Sequence, residues 1–327
     1  MADQRNQVNI PTNLVPKVWA KKVWHEGVKD SYFDKFTAMD GSNVVHQNKD
    51  LTNVKGDSVV FGLMMNLTGS GVEGNRQKLS GSEDTLNIYD FTVQTQLVRN
   101  AVSRFEADDQ KSQYDMLKEI KVVLKQWLSD WLDNKLISKL SYNPSTGEVL
   151  YASAAGTQSS ITANDKLTTT IISRAKRKAM MHAPKVQPIK VDGMDKYIML
   201  VHPWAARDLK DDPKWLAAQQ NANIRGSKNP IFTGALGEYD GVILYEYERV
   251  LSSNIGAASA NVCQNLLLGK QAACFAVARP AKHIEQTDDY GNIAGNGIAF
   301  YGAVEKTKFN GFDYGIINVM TGGVVER

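Results

Sequence analysis

Between residues 108 and 140 apolar side chains recur at gaps of three and four: Met116, Leu117, Ile120, Val123, Leu124, Trp127, Leu128, Trp131, Leu132 and Leu136. That spacing gathers them on one helical stripe and leaves Lys118, Glu119, Lys121, Lys125, Gln126, Asp130 and Asp133 on the opposite face. Asp108, Asp109 or Ser112 is placed to cap the start, and Ser112 with Asp115 fits a capping box. No Pro or Gly interrupts the run before Asn143-Pro144. The pattern predicts one helix of about 28 residues, about 40 Å long, enough to span a whole domain.

Ahead of it, residues 55–102 change to a strand pattern. Val59-Val60-Phe61 and Leu63-Met64-Met65 precede a polar, Gly-rich centre, and Leu86, Ile88, Phe91, Val93, Leu97 and Val98 follow. This reads as a long β-hairpin with a flexible tip of roughly 15–20 residues, a length kept mostly where a loop has a task. A lone two-stranded hairpin is marginal in water and needs something to lie on.

Beyond the long helix, Thr162 and Asp165 are expected to cap a helix over 166–183 that stops before Pro184. Residues 197–201 read as a buried strand, 204–222 as short helices broken at Pro213, and 225–241 as turns leading into a strand over 242–247. Residues 266–269 are a strand and 271–278, QAACFAVA, a short helix. Strands return at 297–304 and 314–320, with a turn expected at 311–314. The first fifty residues look unlike a compact domain: Pro11 and Pro16 restrict the backbone, and Trp19, Trp24, Tyr32, Phe33 and Phe36 are scattered among charges in short amphipathic stretches. Those aromatics need burial, on their own domain or on a neighbour.

Composition narrows the class. At 327 residues, 43% hydrophobic and 22% charged, the chain is an ordinary folded protein of two domains or one elaborated domain. The net charge of +3 argues against a dedicated nucleic-acid binder. The polar start has no secretory core segment, and no run approaches the roughly 18 apolar residues of a membrane span. Cys263 and Cys274 match no zinc spacing and read as buried, reduced thiols.

Chemistry is hard to find. The five histidines lack metal-ligand neighbours, and His202-Pro203 at a strand end reads as a turn cap. The Gly-rich tip has no GK[ST] after it, and no G-x-S-x-G occurs. Asp108-Asp109, Asp211-Asp212 and Asp288-Asp289 suit caps and loops, and Arg174, Lys176, Arg177 and Lys178 a solvated helix face. No catalytic, cofactor-binding or metal-binding residue is expected. One reading of the mixed strand and helix region is a cytosolic α/β enzyme drawing its site from 197–283.

Four stretches carry a resemblance: YDMLKEIKVVLKQWLSDWLDNKL (114–136), YIMLVHPWAARDLK (197–210), NANIRGSKNPIFTGALGEYDGVILYE (221–246) and FDYGIINVMT (312–321). With the order of arm, hairpin, strut helix, mixed region and returning strands, the chain resembles the major capsid proteins of tailed bacteriophages, and among them the coat-protein family of the N4-like podoviruses. The resemblance implies an α+β fold, the Johnson or Hong Kong 97 type. Its parts would be an N-arm over 1–54, an E-loop hairpin over 55–105, a peripheral domain with the spine helix over 106–150, an axial domain over 151–285, and returning strands of the peripheral domain over 286–327.

It implies a coat protein, not an enzyme, that self-assembles through pentamers and hexamers into an icosahedral head shell around phage double-stranded DNA; the alternative is another virion structural protein, a tail tube or baseplate protein. The partners would be copies of itself, then scaffold, portal and decoration proteins, with DNA touched only weakly and non-specifically. No cofactor and no membrane are implied. The chain would reside in the virion after assembly in the host cytoplasm. Contacts between subunits are expected at Trp19, Trp24, Phe33 and Phe36 in the arm, at Gly69, Gly71, Arg76 and Lys78 in the hairpin tip, and at Arg225, Asn229 and Phe232. Lys78 is read as a solubility charge, without covalent crosslinking.

Overall fold

The computed structural model describes residues 31–52, 56–64, 67, 69, 71–74, 78, 80, 83–86, 88–111, 116–154, 156–191, 193–221 and 236–324. It opens on a 3-10 turn, Tyr32–Phe36, capped by Ser31, followed by β1 (Thr37–Ala38) and β2 (Val45–Asn48). The expected hairpin is present as β3 (Ser58–Met64) and β4 (Ile88–Gln94), paired antiparallel with Met64 opposite Ile88 and Val60 opposite Thr92. Its second arm ends sooner than the apolar pattern suggests. Leu97 and Val98 belong to β5 (Gln96–Phe105), which leaves the hairpin and joins another sheet.

Helices α1 (Glu106–Lys111) and α2 (Met116–Ser141) follow; α2 is 26 residues long, and the Ser112–Asp115 capping box lies outside the described residues. α2 ends where Asn143 takes φ +42 and Pro144 blocks continuation. Then come β6 (Val149–Tyr151), α3 (Thr169–Met181), β7 (Ile189–Val191), β8 (Met194–Val201), α4 (Pro203–Lys210) and α5 (Pro213–Asn221). Helix α3 begins later than expected, after Thr168. Thr162 and Asp165 close a separate turn, in which Asp165 Oδ2 accepts from Thr162 N at 2.7 Å. The first turn of α3 is instead capped across the fold: Asp212 Oδ2 accepts from both Thr169 N and Thr169 Oγ1 at 2.8 Å.

The remainder is β9 (Gly237–Tyr239), β10 (Val242–Glu246), β11 (Ser252–Ser253), β12 (Asn261–Leu268), β13 (Ala273–Asp288), β14 (Ile293–Lys306), β15 (Lys308–Phe309), β16 (Phe312–Asp313) and β17 (Ile316–Gly323). The expected helix over 271–278 is therefore the start of a 16-residue strand. Its alanines favour helix locally, but the run is buried on both faces and paired on both edges, by β2 and β14, and that pairing decides. β13 shifts register around Pro280, whose ring nitrogen has no hydrogen to give the ladder. The last tight turn is Asn310-Gly311, at φ +51 and +78, a residue earlier than expected, between β15 and β16.

Two sheets carry the molecule. One has five strands in the order β1-β2-β13-β14-β5; the other runs β6-β17-β12-β8-β10-β9, with β7 and β11 attached. They cut across the expected boundary at residue 285. β13 is in the five-stranded sheet from residue 273, and β17 lies in the eight-stranded one.

Helix α2 fills the space between the sheets. Ile120, Leu124, Leu128, Leu132, Leu136, Ile137 and Leu140 pack with Phe275, Val277, Ile298, Phe300 and Val304 of one sheet and with Ile198, Leu200, Leu266 and Leu268 of the other. The alternate residues Tyr197, Met199 and Val201 point to a second core under α3 and α4, with Ile171, Ile172, Ala175, Ala205 and Leu209. Residues 197–201 read as an unbroken apolar run because both faces of β8 are covered.

Candidate assembly surfaces

The hairpin is buried on one face only. Val59, Phe61 and Val93 pack on Cys274 and Ala276 of β13, which holds the base of the ribbon to its own subunit. The two-residue period turns the alternate side chains outward. Val60 is 61% exposed, Met64 64% and Ile88 61%, and Leu67 and Leu86 are exposed beyond the strand ends. This apolar stripe stands in water on a ribbon of two strands. In the loop, Gly69 N donates to Asp84 Oδ2 at 2.6 Å and ties the two limbs together; a Cβ on Gly69 would meet the same oxygen at 2.8 Å. Gly71, at φ +67, and Lys78 are exposed.

Phe33 and Phe36 are placed differently from the sequence expectation. They are buried in their own subunit's core, 2% and 4% exposed, so they anchor the root of the arm at home. Tyr32 stacks on Tyr247 at 4.2 Å between ring centroids. The Lys35 ammonium lies 3.9 Å from the Tyr32 ring centre and 4.3 Å from that of Tyr245. From α2, Asp133 accepts from Ser31 Oγ at 2.5 Å and Tyr32 N at 3.0 Å. Burial pushes the Tyr32 and Tyr247 hydroxyls well above the usual phenol range. The physical reason is reach: the 3-10 turn sets three aromatics on one side, and the nearest apolar surface is the gap between α2 and β10. Trp19, Trp24, Arg76, Arg225, Asn229 and Phe232 lie outside the described residues.

Two further surfaces were not picked out by the pattern. Val122 and Val123 are 49% and 53% exposed on the outer side of α2, so Val123 does not belong to the inward stripe. At the end of the β13–β14 ribbon, Tyr290 is fully exposed at φ +53, on a turn braced by Asn292 Nδ2 donating to Asp289 Oδ2 at 3.0 Å. The basic cluster on α3 is half engaged at home. Lys176 pairs with Asp240 at 2.8 Å and Lys178 Nζ donates to Val149 O at 2.8 Å, while Arg174 and Arg177 are exposed.

His202 caps α4, its Nδ1 accepting from Trp204 N at 3.2 Å, and burial lowers its basicity. Burial pushes the Cys263 thiol up to about 12 and that of Cys274 to about 11, which keeps both as unreactive thiols. Among the described residues no group of three or more His, Cys, Asp or Glu is placed to hold a metal, and no helix is long and apolar enough to cross a membrane.

A family model described as phage capsid protein matches residues 12–146 and 140–325, nearly the whole chain. The chain belongs to the phage capsid protein family. This coat protein is 27% identical to the major capsid protein of Pseudomonas phage KPP25, over 94% of this chain and 95% of that one. Its fold matches the capsid of Ralstonia phage GP4 with a TM-score of 0.81 and 26% identity, covering 91% of this chain and 93% of the other. The capsid subunit of cyanophage Pam1 also superposes at 0.81, with 22% identity over 91% and 94%. The coat protein thus has the Hong Kong 97-type capsid fold, forms the phage shell and is part of the virion.

Proposed function

We propose that the coat protein closes into pentamers and hexamers that tile an icosahedral head around double-stranded DNA, each hairpin lying on a neighbouring copy. The observation that carries this is the outward stripe of Val60, Met64 and Ile88, set on a hairpin whose other face is already closed. Fully burying such a side chain yields about 1.5–3 kcal/mol, so three of them exposed by about three-fifths hold roughly 3–5 kcal/mol in reserve. A contact of that size is too weak to fix one pair of subunits irreversibly. Repeated around a ring it is enough, and errors can still dissociate.

Head-to-tail contacts of one kind close into rings, which favours cyclic capsomers. The small net charge of +3 suits a shell that must not grip its genome. In this reading the arm is the chain ahead of its root at Tyr32–Phe36, shorter than the expected 1–54 because β1 and β2 belong to the five-stranded sheet, and the ribbon β3–β4 is the E-loop. The five-stranded sheet with α2 is the peripheral domain, and the eight-stranded sheet with α3 to α5 is the axial domain. Assembly takes place in the host cytoplasm with portal and scaffold proteins.

The test is the double variant Val60→Asp/Ile88→Asp, expressed as the full chain and viewed by negative-stain microscopy. Shells or rings are expected from the wild type. The variant is expected to give soluble subunits with unchanged circular dichroism. Shells of normal yield from the variant would remove the hairpin from the contact.

A further inference from the structure

A buried carboxyl and a half-buried imidazole join the connection after α2 to the end of α3. Glu148 closes the 3-10 turn Thr146–Glu148 and is 1% exposed. Its Oε1 lies 3.2 Å from Nε2 of His182, the residue that ends α3. Among the described residues neither oxygen of Glu148 has another hydrogen-bond partner. The other ring nitrogen, His182 Nδ1, is 3.1 Å from Pro184 O. A carbonyl oxygen only accepts, so Nδ1 must carry a hydrogen. In a neutral ring Nε2 would then point a lone pair at a carboxylate. The contact is attractive only while one proton sits between Nε2 and Oε1, as imidazolium with carboxylate or as imidazole with carboxylic acid.

From this geometry we infer that Glu148 and His182 form a proton-operated latch, which fixes the turn Thr146–Glu148 to the end of α3 and releases that turn when its proton leaves on the alkaline side. The charged groups facing Glu148 are His182 and Lys178 from α3, Asp313 from β16 and Lys306 from β14. Lys178 and Lys306 are already committed, to Val149 O and to Asp313 with the carbonyls of Tyr142 and Asn143, so neither replaces the missing proton. Burial raises the Glu148 carboxyl above its ordinary range, and Asp313 adds to this against the opposing pull of His182 and Lys178. The folded chain therefore holds a proton that the unfolded chain releases. The stabilisation is complete at low pH and is lost as pH rises through the folded value.

The connection 142–149 leads from α2 to β6 of the eight-stranded sheet, and the chain also passes between the two sheets after β12 and after β14. Opening the pair loosens this connection alone and leaves the packing of α2 between the two sheets in place.

Hydrogen exchange on the full-length, unassembled chain tests this, between about pH 6 and about pH 9, with intrinsic rates corrected. In the wild type, protection over the turn Thr146–Glu148 is expected to fall about tenfold across that range, while protection in β12 stays level. In Glu148→Gln the amide N–H donates to a neutral Nε2, so the contact needs no extra proton and the profile is expected to be flat. His182→Gln, whose amide donates to ionised Glu148, is expected to be flat as well, and serves if the first variant does not fold. A flat wild-type profile, or a wild-type slope retained in either variant, overturns the latch. Neither outcome bears on the hairpin contact, because no shell is formed in the experiment.

Discussion

The ammonium of Lys306 lies 2.8 Å from Asp313 Oδ2, both side chains withdrawn from solvent, and this pair closes the end of α2. Lys306 Nζ also donates to Tyr142 O at 2.7 Å and Asn143 O at 2.9 Å, and Asp313 Oδ2 accepts from Ser145 N at 2.9 Å. A helix must leave its last carbonyls without partners inside the helix, and here one lysine from β14 collects two carbonyls just past the end. Lys306→Met removes the charge and leaves the Asp313 carboxylate buried and uncompensated. The expected cost is about 3–5 kcal/mol in urea unfolding. Adding Asp313→Leu to it should recover a large part, because the stranded charge goes too.

Leu128 and Val123 sit on the same helix and should behave oppositely. Leu128 is 0% exposed against the two sheets, and Val123 is 53% exposed. Leu128→Ala is expected to destabilise the subunit by about 3 kcal/mol. Val123→Ala should stay within about 0.5 kcal/mol. Equal midpoint shifts in denaturant for the two variants would mean that the inward face of α2 has been misassigned.

Asp212 should give the subunit an acid-side weakness. Burial alone would raise its carboxyl, but the two bonds from Thr169 outweigh this and hold it below the usual carboxylate range. A lowered folded value means stability that is present above the ordinary carboxylate range and lost as pH falls through the lowered one. Asp212→Ala is expected to cost about 1 kcal/mol near neutral pH as a lost helix cap. The difference from the wild type should shrink towards about pH 3, read from paired thermal melts.

How far the sequence could be read differs from element to element. The 3.6-residue pattern located α2, and the five-residue apolar run of β8 was recognisable because burial on both faces leaves no alternation to confuse it. The start of β13 is not legible as a strand, since AACFAVA carries helix formers and only its neighbours β2 and β14 impose the extended form. Gln94 and Gln96 look alike in an alternating run, yet one ends the hairpin and the other begins a strand of a different sheet. Of the expected contact residues, Phe33 and Phe36 announced a need for burial without saying against what. Glu148 and His182 are 34 positions apart, and nothing in their local patterns relates them.

The sequence by itself determined the family, most elements and the sides of each strand and helix that avoid water, because side-chain period and turn chemistry are local properties of the backbone. The tertiary structure decided which of those sides are closed within the subunit and which stay open. Val59 and Val60 are adjacent and chemically identical, yet one lies on β13 and the other faces solvent. That difference comes from contacts between residues more than two hundred positions apart, and the energy of closing a face depends on the surface that arrives opposite it, which no local pattern contains.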